Sequence, residues 1–270
     1  MIPRILLALS FFASAAAAAP LQMVLLENHI PQSDDKRINV ETRILPKLQQ
    51  IALPELQIEP KLLSNARAWE LLRQNSNYCA LNKVHTPERE QFLYFAKLPT
   101  SIYPPLQLIS TRSLSEQPVN LELLLQQQPA LKIGVAAGRS YSPAIDLLIK
   151  QYPQQFFVRS GDDAAENLAL MLSKQRLDAV IEFAAIVRAS LKKQGINQPV
   201  LGHTLQGVSL SRGFIVCNKS PQGLQLIRLL DQKMLDRQYQ ADLVRYHSEF
   251  FGEADYTLIH AELMQFFSPQ

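Results

Sequence analysis

The residue with the most chemistry gathered around it is Arg89. It closes the run Thr86-Pro87-Glu88-Arg89. Thr86 reads there as a helix cap, Pro87 as the first helical residue and Glu88 as a first-turn acid. A guanidinium held on so short a turn presents a rigid fork of donors that matches a carboxylate. On residue type alone, an exposed ion pair with Glu88 or Glu90 is the commoner fate of such an arginine. Asn82 and His85 stand just before it and are candidates for the same pocket. His85 would serve equally well as a partner for a backbone carbonyl. A second place for an anion is Gly138-Arg139-Ser140, where a strand gives way to a helix. Backbone amides and the helix dipole favour negative charge there. Ser142, directly before Pro143, competes with Ser140 for the capping role. Glu27, Asn28 and His29 end or follow the first strand, at the mouth where ligands bind in parallel-sheet folds. A solvated loop is their plain alternative. Trp69, at near-helical spacing with Leu72, reads as core packing.

Several other chemistries lack their residues. The five histidines fall in no H-E-x-x-H pattern and the two cysteines in no C-x-x-C, so no metal site is expected. Gly138-Arg139-Ser140-Tyr141-Ser142 lacks the second glycine of a nucleophile elbow. Ser190-Leu191-Lys192-Lys193 fits S-x-x-K but sits on an ordinary amphipathic helix. No glycine-rich loop could cradle a phosphate, and no cofactor is expected. Cys79 and Cys217 both lie in apolar, strand-like runs. Spacing leaves a disulfide and two buried free thiols equally open.

The N-terminus sets the expected compartment. Met1-Ile2-Pro3-Arg4, an apolar stretch to Ala13 and an alanine-rich exit to Ala19 have the form of a secretory signal peptide, cut between Ala18 and Ala19. The apolar part is shorter than the roughly 20 residues that span a bilayer. With no cysteine near the cut, a lipoprotein anchor is not expected, and the periplasm is the expected location. Export makes a disulfide permissible. Without those 18 residues the chain of 270 keeps 252, enough for one large domain or two small ones. The leader carries one arginine and no acid, so the net charge of +3 drops by only one. With lysine and arginine scattered, this argues against nucleic acid or an anionic membrane as partner.

These residues need elements to position them, and the pattern alternates short apolar strands with amphipathic helices. Strands are predicted at Leu21–Glu27, Leu56–Leu63, Tyr78–Val84, Leu106–Ser110, Leu131–Ala136, Phe156–Arg159, Ala179–Phe183 and Gly213–Asn218. Helices are predicted between them and throughout the region after Ser220. Pro46 should kink or shorten the helix at Val40–Ile51. Such alternation means an α/β fold with mostly parallel sheets. Polar, proline-bearing Thr111–Asn120 and glycine-rich Gly195–Ser211 are the expected crossings between two lobes. Lobe 1 would then comprise residues 19–112 and 208–270, and lobe 2 residues 113–207. A ligand would sit in the cleft between them.

Three segments resemble type II periplasmic solute-binding proteins, specifically family 3, the group that includes amino-acid receptors. Tyr78-Cys79-Ala80-Leu81-Asn82-Lys83-Val84-His85-Thr86-Pro87-Glu88-Arg89, followed by Phe92 and Phe95, is similar to the family's strand, T-x-x-R turn and aromatic segment. Lys132-Ile133-Gly134-Val135-Ala136-Ala137-Gly138-Arg139-Ser140 is similar to its second-lobe turn. Arg176-Leu177-Asp178-Ala179-Val180-Ile181-Glu182 is similar to its strand lining the cleft. The resemblance spans nearly all of the mature chain and implies a two-lobed fold with two hinge crossings. It implies that Arg89 grips a ligand carboxylate and that Arg139 and Ser140 face the ligand. Where the family places an aspartate for the ligand's ammonium, this chain has Phe183. Glu182 lies one residue earlier, on the opposite face if strand alternation continues.

The implied function is capture of a small carboxylate-bearing solute, an amino acid or related organic acid, by a monomer working with an ABC permease or a membrane sensor. The alternatives are a dehydratase-like periplasmic enzyme, with Glu182 or His85 as acid or base, and an orphan binding protein that modulates a partner.

Overall fold

The computed structural model describes residues 19–27, 40–114, 118–161 and 163–267. The expected signal peptide, together with Asn28 and His29, lies outside the described residues. In chain order the elements are β1 (Leu21–Glu27), α1 (Val40–Ala52), β2 (Leu56–Leu62), α2 (Asn65–Gln74), β3 (Tyr78–Lys83), α3 (Pro87–Glu90) and β4 (Leu93–Tyr103). There follow β5 (Gln107–Ser110), α4 (Leu121–Gln127), β6 (Ile133–Ala136), α5 (Pro143–Gln151), β7 (Phe156–Arg159), α6 (Ala164–Ser173), β8 (Ala179–Glu182), α7 (Ala184–Lys193) and β9 (Leu201–Thr204). The chain ends with β10 (Ser211–Asn218), α8 (Pro221–Lys233), α9 (Arg237–Phe250) and α10 (Glu253–Phe267).

Two five-stranded sheets form, in the orders β2-β1-β3-β10-β4 and β7-β6-β8-β5-β9. In each, three neighbouring strands pair parallel, and one antiparallel strand, β10 or β5, joins the remaining edge strand. The sheets are therefore mixed, although four strands of each run the same way. Parallel strands with helices on both faces read as nearly continuous apolar runs, and β1 is an example. Met23 and Leu25 pack toward Ile44 and Leu48 of α1. Leu26 packs on the opposite face, toward Leu72 of α2 and Val216 of β10. This is the period-2 alternation of a strand. In the second sheet Ile109 and Val180 face Leu168 and Leu172 of α6.

Three expectations meet corrections here. Strand β5 already belongs to the second sheet, so the first passage between sheets runs through Pro104, Pro105 and Leu106, ahead of the expected Thr111–Asn120. Two strands escaped the sequence reading. β4 carries Pro99, which a sheet tolerates because β4 is an edge strand. β9 is only four residues long and contains Gly202. Third, of the two effects expected of Pro46, shortening is absent: α1 runs through it to Ala52.

Chain direction decides where the chemistry goes. Glu27, Lys83 and Tyr103 are the last residues of β1, β3 and β4, and Glu182 is the last of β8. Gly138 and Arg139 follow β6 after one residue, Ala137. Carboxyl ends of strands from both sheets thus supply the groups that meet between the lobes, where open α/β sheets bind ligands. A disulfide joins Cys79 and Cys217, which face one another across β3 and β10 with their Cα atoms 4.0 Å apart. It ties the outgoing half of the first lobe to its return segment.

Candidate functional site

A cleft of about 510 Å³ opens between the two sheets. Its first-lobe wall carries Glu27, Trp69, Asn82, Lys83 and Arg89, and its second-lobe wall Gly138, Arg139, Ser140, Glu182 and Phe183. Six of the seven expected ligand-site residues are therefore brought together. The exception is His85. Its imidazole is exposed, lies 3.2 Å from Glu90 and packs on Phe95 at 4.4 Å between ring centres. It follows the end of β3, and its contacts are with α3 and β4, away from the cleft lining.

Arg89 is fixed by the short turn that carries it. Thr86 caps α3 by accepting the Arg89 N–H at 3.3 Å. The guanidinium donates to the Val84 carbonyl at 2.7 Å and, across the cleft, to the Gly138 carbonyl at 3.4 Å. It lies over the Trp69 indole, 4.3 Å from the ring centre, a cation–π arrangement that holds its plane. A guanidinium has five N–H donors, so most remain for a guest. Among the described residues no carboxylate lies within ion-pair distance of it. Burial lowers its pKa, with Asp146 and Glu88 opposing, and it stays cationic at physiological pH.

Trp69 has a second role that its spacing does not announce. It packs against the cluster that holds Leu72, as expected, but it also lines the cleft: its indole N–H donates to the Gly138 carbonyl at 2.8 Å, joining the two lobes. Half-buried tryptophan N–H groups find acceptors, but this one lies 69 residues away in sequence. Gly138 has φ +71°, and a Cβ there would come within 3.2 Å of the Trp69 Nε1. The approach therefore favours glycine.

On the second lobe half-buried Arg139 pairs with buried Glu182 at 2.5 Å. The other Glu182 oxygen accepts the Phe183 N–H at 2.7 Å. Burial works against the Arg139 charge, yet Glu182 and Tyr141 leave its pKa raised. The expected alternation of faces at Glu182 and Phe183 does not hold. Phe183 is already the cap of α7, the strand geometry ends there, and both side chains reach the cleft. Phe183 stacks on Tyr103 at 4.5 Å. Ser142, not Ser140, caps α5, accepting the Ile145 N–H. Ser140 donates its hydroxyl to Asp146 at 2.7 Å.

Behind Arg89 lies a buried group of charges that the sequence reading identified only at Glu27. Glu27 accepts the Leu81 N–H at 2.8 Å. Its carboxyl is pushed up to about 8, first by burial, with Lys83 drawing it back. Lys83 donates to Asn65 at 3.1 Å, and burial lowers its pKa. Glu41, on the buried side of α1, accepts the Tyr103 hydroxyl at 2.8 and 3.0 Å, and burial raises its pKa. Asn82, at φ +54°, accepts the Ser101 hydroxyl at 2.8 Å. It sits so close to Gly213 that a Cβ there would meet its amide oxygen at 1.8 Å. The available signal was a lysine closing the apolar strand Tyr78–Lys83 and an acid on the apolar face of α1. Among the described residues no group of three or more His, Cys, Asp or Glu is placed to hold a metal ion, and no helix is long and apolar enough to cross a membrane.

No protein-family profile and no curated protein sequence matches the chain. Solved structures do. A periplasmic binding protein of an arginine transport system from Legionella pneumophila is 16% identical, covers 87% of this chain and 100% of its own, and has a TM-score of 0.59. An ancestral arginine-binding protein bound to arginine is 14% identical over 87% and 99%, with a TM-score of 0.65. A histidine kinase sensor domain with similarity to periplasmic binding proteins is 9% identical over 86% and 96%, with a TM-score of 0.64. The chain has the two-lobed periplasmic-binding-protein fold.

Proposed function

We propose that the chain is an exported solute-binding protein that closes its lobes on a small carboxylate-bearing solute and presents it to an ABC permease or a membrane sensor. The observation that carries this reading is Arg89: a guanidinium facing the cleft with unused donors and no carboxylate partner among the described residues, opposite a second-lobe wall. A ligand touching both walls stabilises the closed arrangement by its differential contacts. The structural neighbours include a transport-system binding protein and a kinase sensor domain, which support the two ways such a complex is read out. Periplasmic location, action as a monomer and the roles of Ser140 and Arg139 belong to the same proposal.

Glu27 favours one competing reading. A carboxyl that keeps its proton near neutral pH can act as a general acid, so an enzyme on this fold would draw on Glu27 and Lys83 rather than on His85.

A thermal-shift screen of amino acids, organic acids and small peptides tests the first reading. A saturable ligand should raise the melting temperature by mass action, and Arg89→Ala should abolish that rise while the ligand-free fold survives. An unchanged rise in Arg89→Ala would reject the assigned role. Incubation of the same ligands with protein, followed by mass spectrometry, separates binding from turnover.

A further inference from the structure

We infer, resting on that reading of the cleft, that its guest is a carboxylic acid without an α-ammonium group, such as a 2-oxo or 2-hydroxy acid. The inference comes from which charged groups around the cleft already have partners. The three buried carboxylates that line it each have resident partners. Glu182 holds Arg139 and the Phe183 N–H. Glu41 holds the Tyr103 hydroxyl. Glu27 holds the Leu81 N–H and lies in the field of Lys83. On the rim, Glu166 pairs with Lys193, Asp163 with Arg159, and Glu249 with Arg43 and Arg245. Asp146, beneath Ser140, takes the Ser140 hydroxyl and the Tyr141 N–H.

The cations are not balanced in the same way. Arg139 is matched by Glu182, and Lys83 by its place near Glu27 and Glu41, but Arg89 has no carboxylate among the described residues within ion-pair reach. Arg89 is thus the cleft arginine with donors still open to a carboxylate, with Asp146 and Glu88 acting on it only at longer range, while each carboxylate around the cleft already holds a resident partner. An incoming carboxylate gains charge-assisted hydrogen bonds from Arg89. An incoming ammonium must either displace Arg139 from its pair with buried Glu182 or enter the cleft without a counter-charge. Both are costly in a desolvated site. The neutral carbonyl or hydroxyl of an oxo or hydroxy acid meets neither penalty. Ser140 has its proton engaged by Asp146, and its lone pairs suit a hydroxyl donor.

The test is calorimetric titration with matched pairs: 2-oxoglutarate against L-glutamate, 2-oxoisocaproate against L-leucine, and phenylpyruvate against L-phenylalanine. In any pair that binds, the oxo acid should be at least tenfold tighter. An amino acid that binds as tightly as its oxo partner, or tighter, overturns the inference and leaves the carboxylate role of Arg89 standing. If no pair binds and a wider panel of mono- and dicarboxylates gives no heat, the proposed function fails and takes the inference with it. Arg139→Met frees Glu182 of its cation. Once circular dichroism shows that this variant is folded, the amino acid of the binding pair should gain at least tenfold. A folded variant with no such gain also overturns the inference.

Discussion

The indole N–H of Trp69 and the carbonyl of Gly138 meet across the cleft at 2.8 Å, and the Arg89 guanidinium shares the same acceptor at 3.4 Å. A single carbonyl of the second lobe thus receives two donors from the first. One neutral hydrogen bond contributes about 1 kcal/mol net. Trp69→Phe keeps an aromatic surface beneath Arg89 but removes the donor. It should weaken ligand binding about fivefold and shift the lobes toward opening. A larger radius of gyration in ligand-free solution scattering, together with the raised Kd, would show this; an unchanged radius and Kd would mean that the contact does not hold the lobes.

Arg89→Lys distinguishes a fork from a point charge. Lysine keeps the positive charge but loses the planar pair of donors and the flat face over Trp69. We expect ligand affinity to fall by at least tenfold while the ligand-free melting temperature changes by no more than a few degrees, since the charge is kept and no core side chain is altered. Affinity equal to that of the unmodified protein would show that only the charge matters.

Much of the frame was readable because it is local. The runs that became β1, β3, β6 and β8 declare themselves by apolar composition, and Thr86-Pro87 and Ser142-Pro143 declare the helix starts that carry Arg89 and follow Ser140. What stayed hidden depends on distant partners. Trp69 satisfies the spacing of a core residue, and only the arrival of Gly138 makes it a cleft residue. Glu27, Glu41 and Lys83 come from β1, α1 and β3, and nothing local marks them as neighbours. The strand β4 was obscured by Pro99, a residue that argues against a central strand but is admitted at an edge.

Glu27 makes stability depend on pH in a direction opposite to that of an ordinary paired acid. Its folded pKa, raised from 4.5 to about 8 first by burial, means that the folded chain binds this proton more tightly than the unfolded one. The resulting stabilisation is full below about pH 4.5 and is lost as the pH rises through about 8. Lys83, whose pKa burial lowers from 10.5, acts in the opposite sense on the alkaline side, where stability recovers as the pH climbs toward its unfolded value. Glu27→Gln keeps an acceptor for the Leu81 N–H and removes the titration. Its melting temperature should fall less between about pH 5 and pH 8 than that of the unmodified protein. Parallel melting curves for the two across that window would show that Glu27 does not carry the dependence.

The Cys79–Cys217 disulfide closes a covalent loop over a separation of 138 residues, one that contains the entire second sheet. Cross-linking constrains the unfolded chain, and native disulfides typically contribute about 2–4 kcal/mol, more for long loops. Both cysteines are fully buried between β3 and β10, so small apolar replacements fit the space with little loss of packing. The double substitution Cys79→Ala and Cys217→Ala should therefore lower unfolding free energy in urea by about 2–4 kcal/mol, while the cleft keeps its ligand affinity, since neither side chain lines it. Reductant should lower the stability of the unmodified protein and leave the double variant unaffected. If reductant destabilises both equally, or the variant is as stable as its parent, the bond does not tie the return segment to the first lobe as the strand register implies.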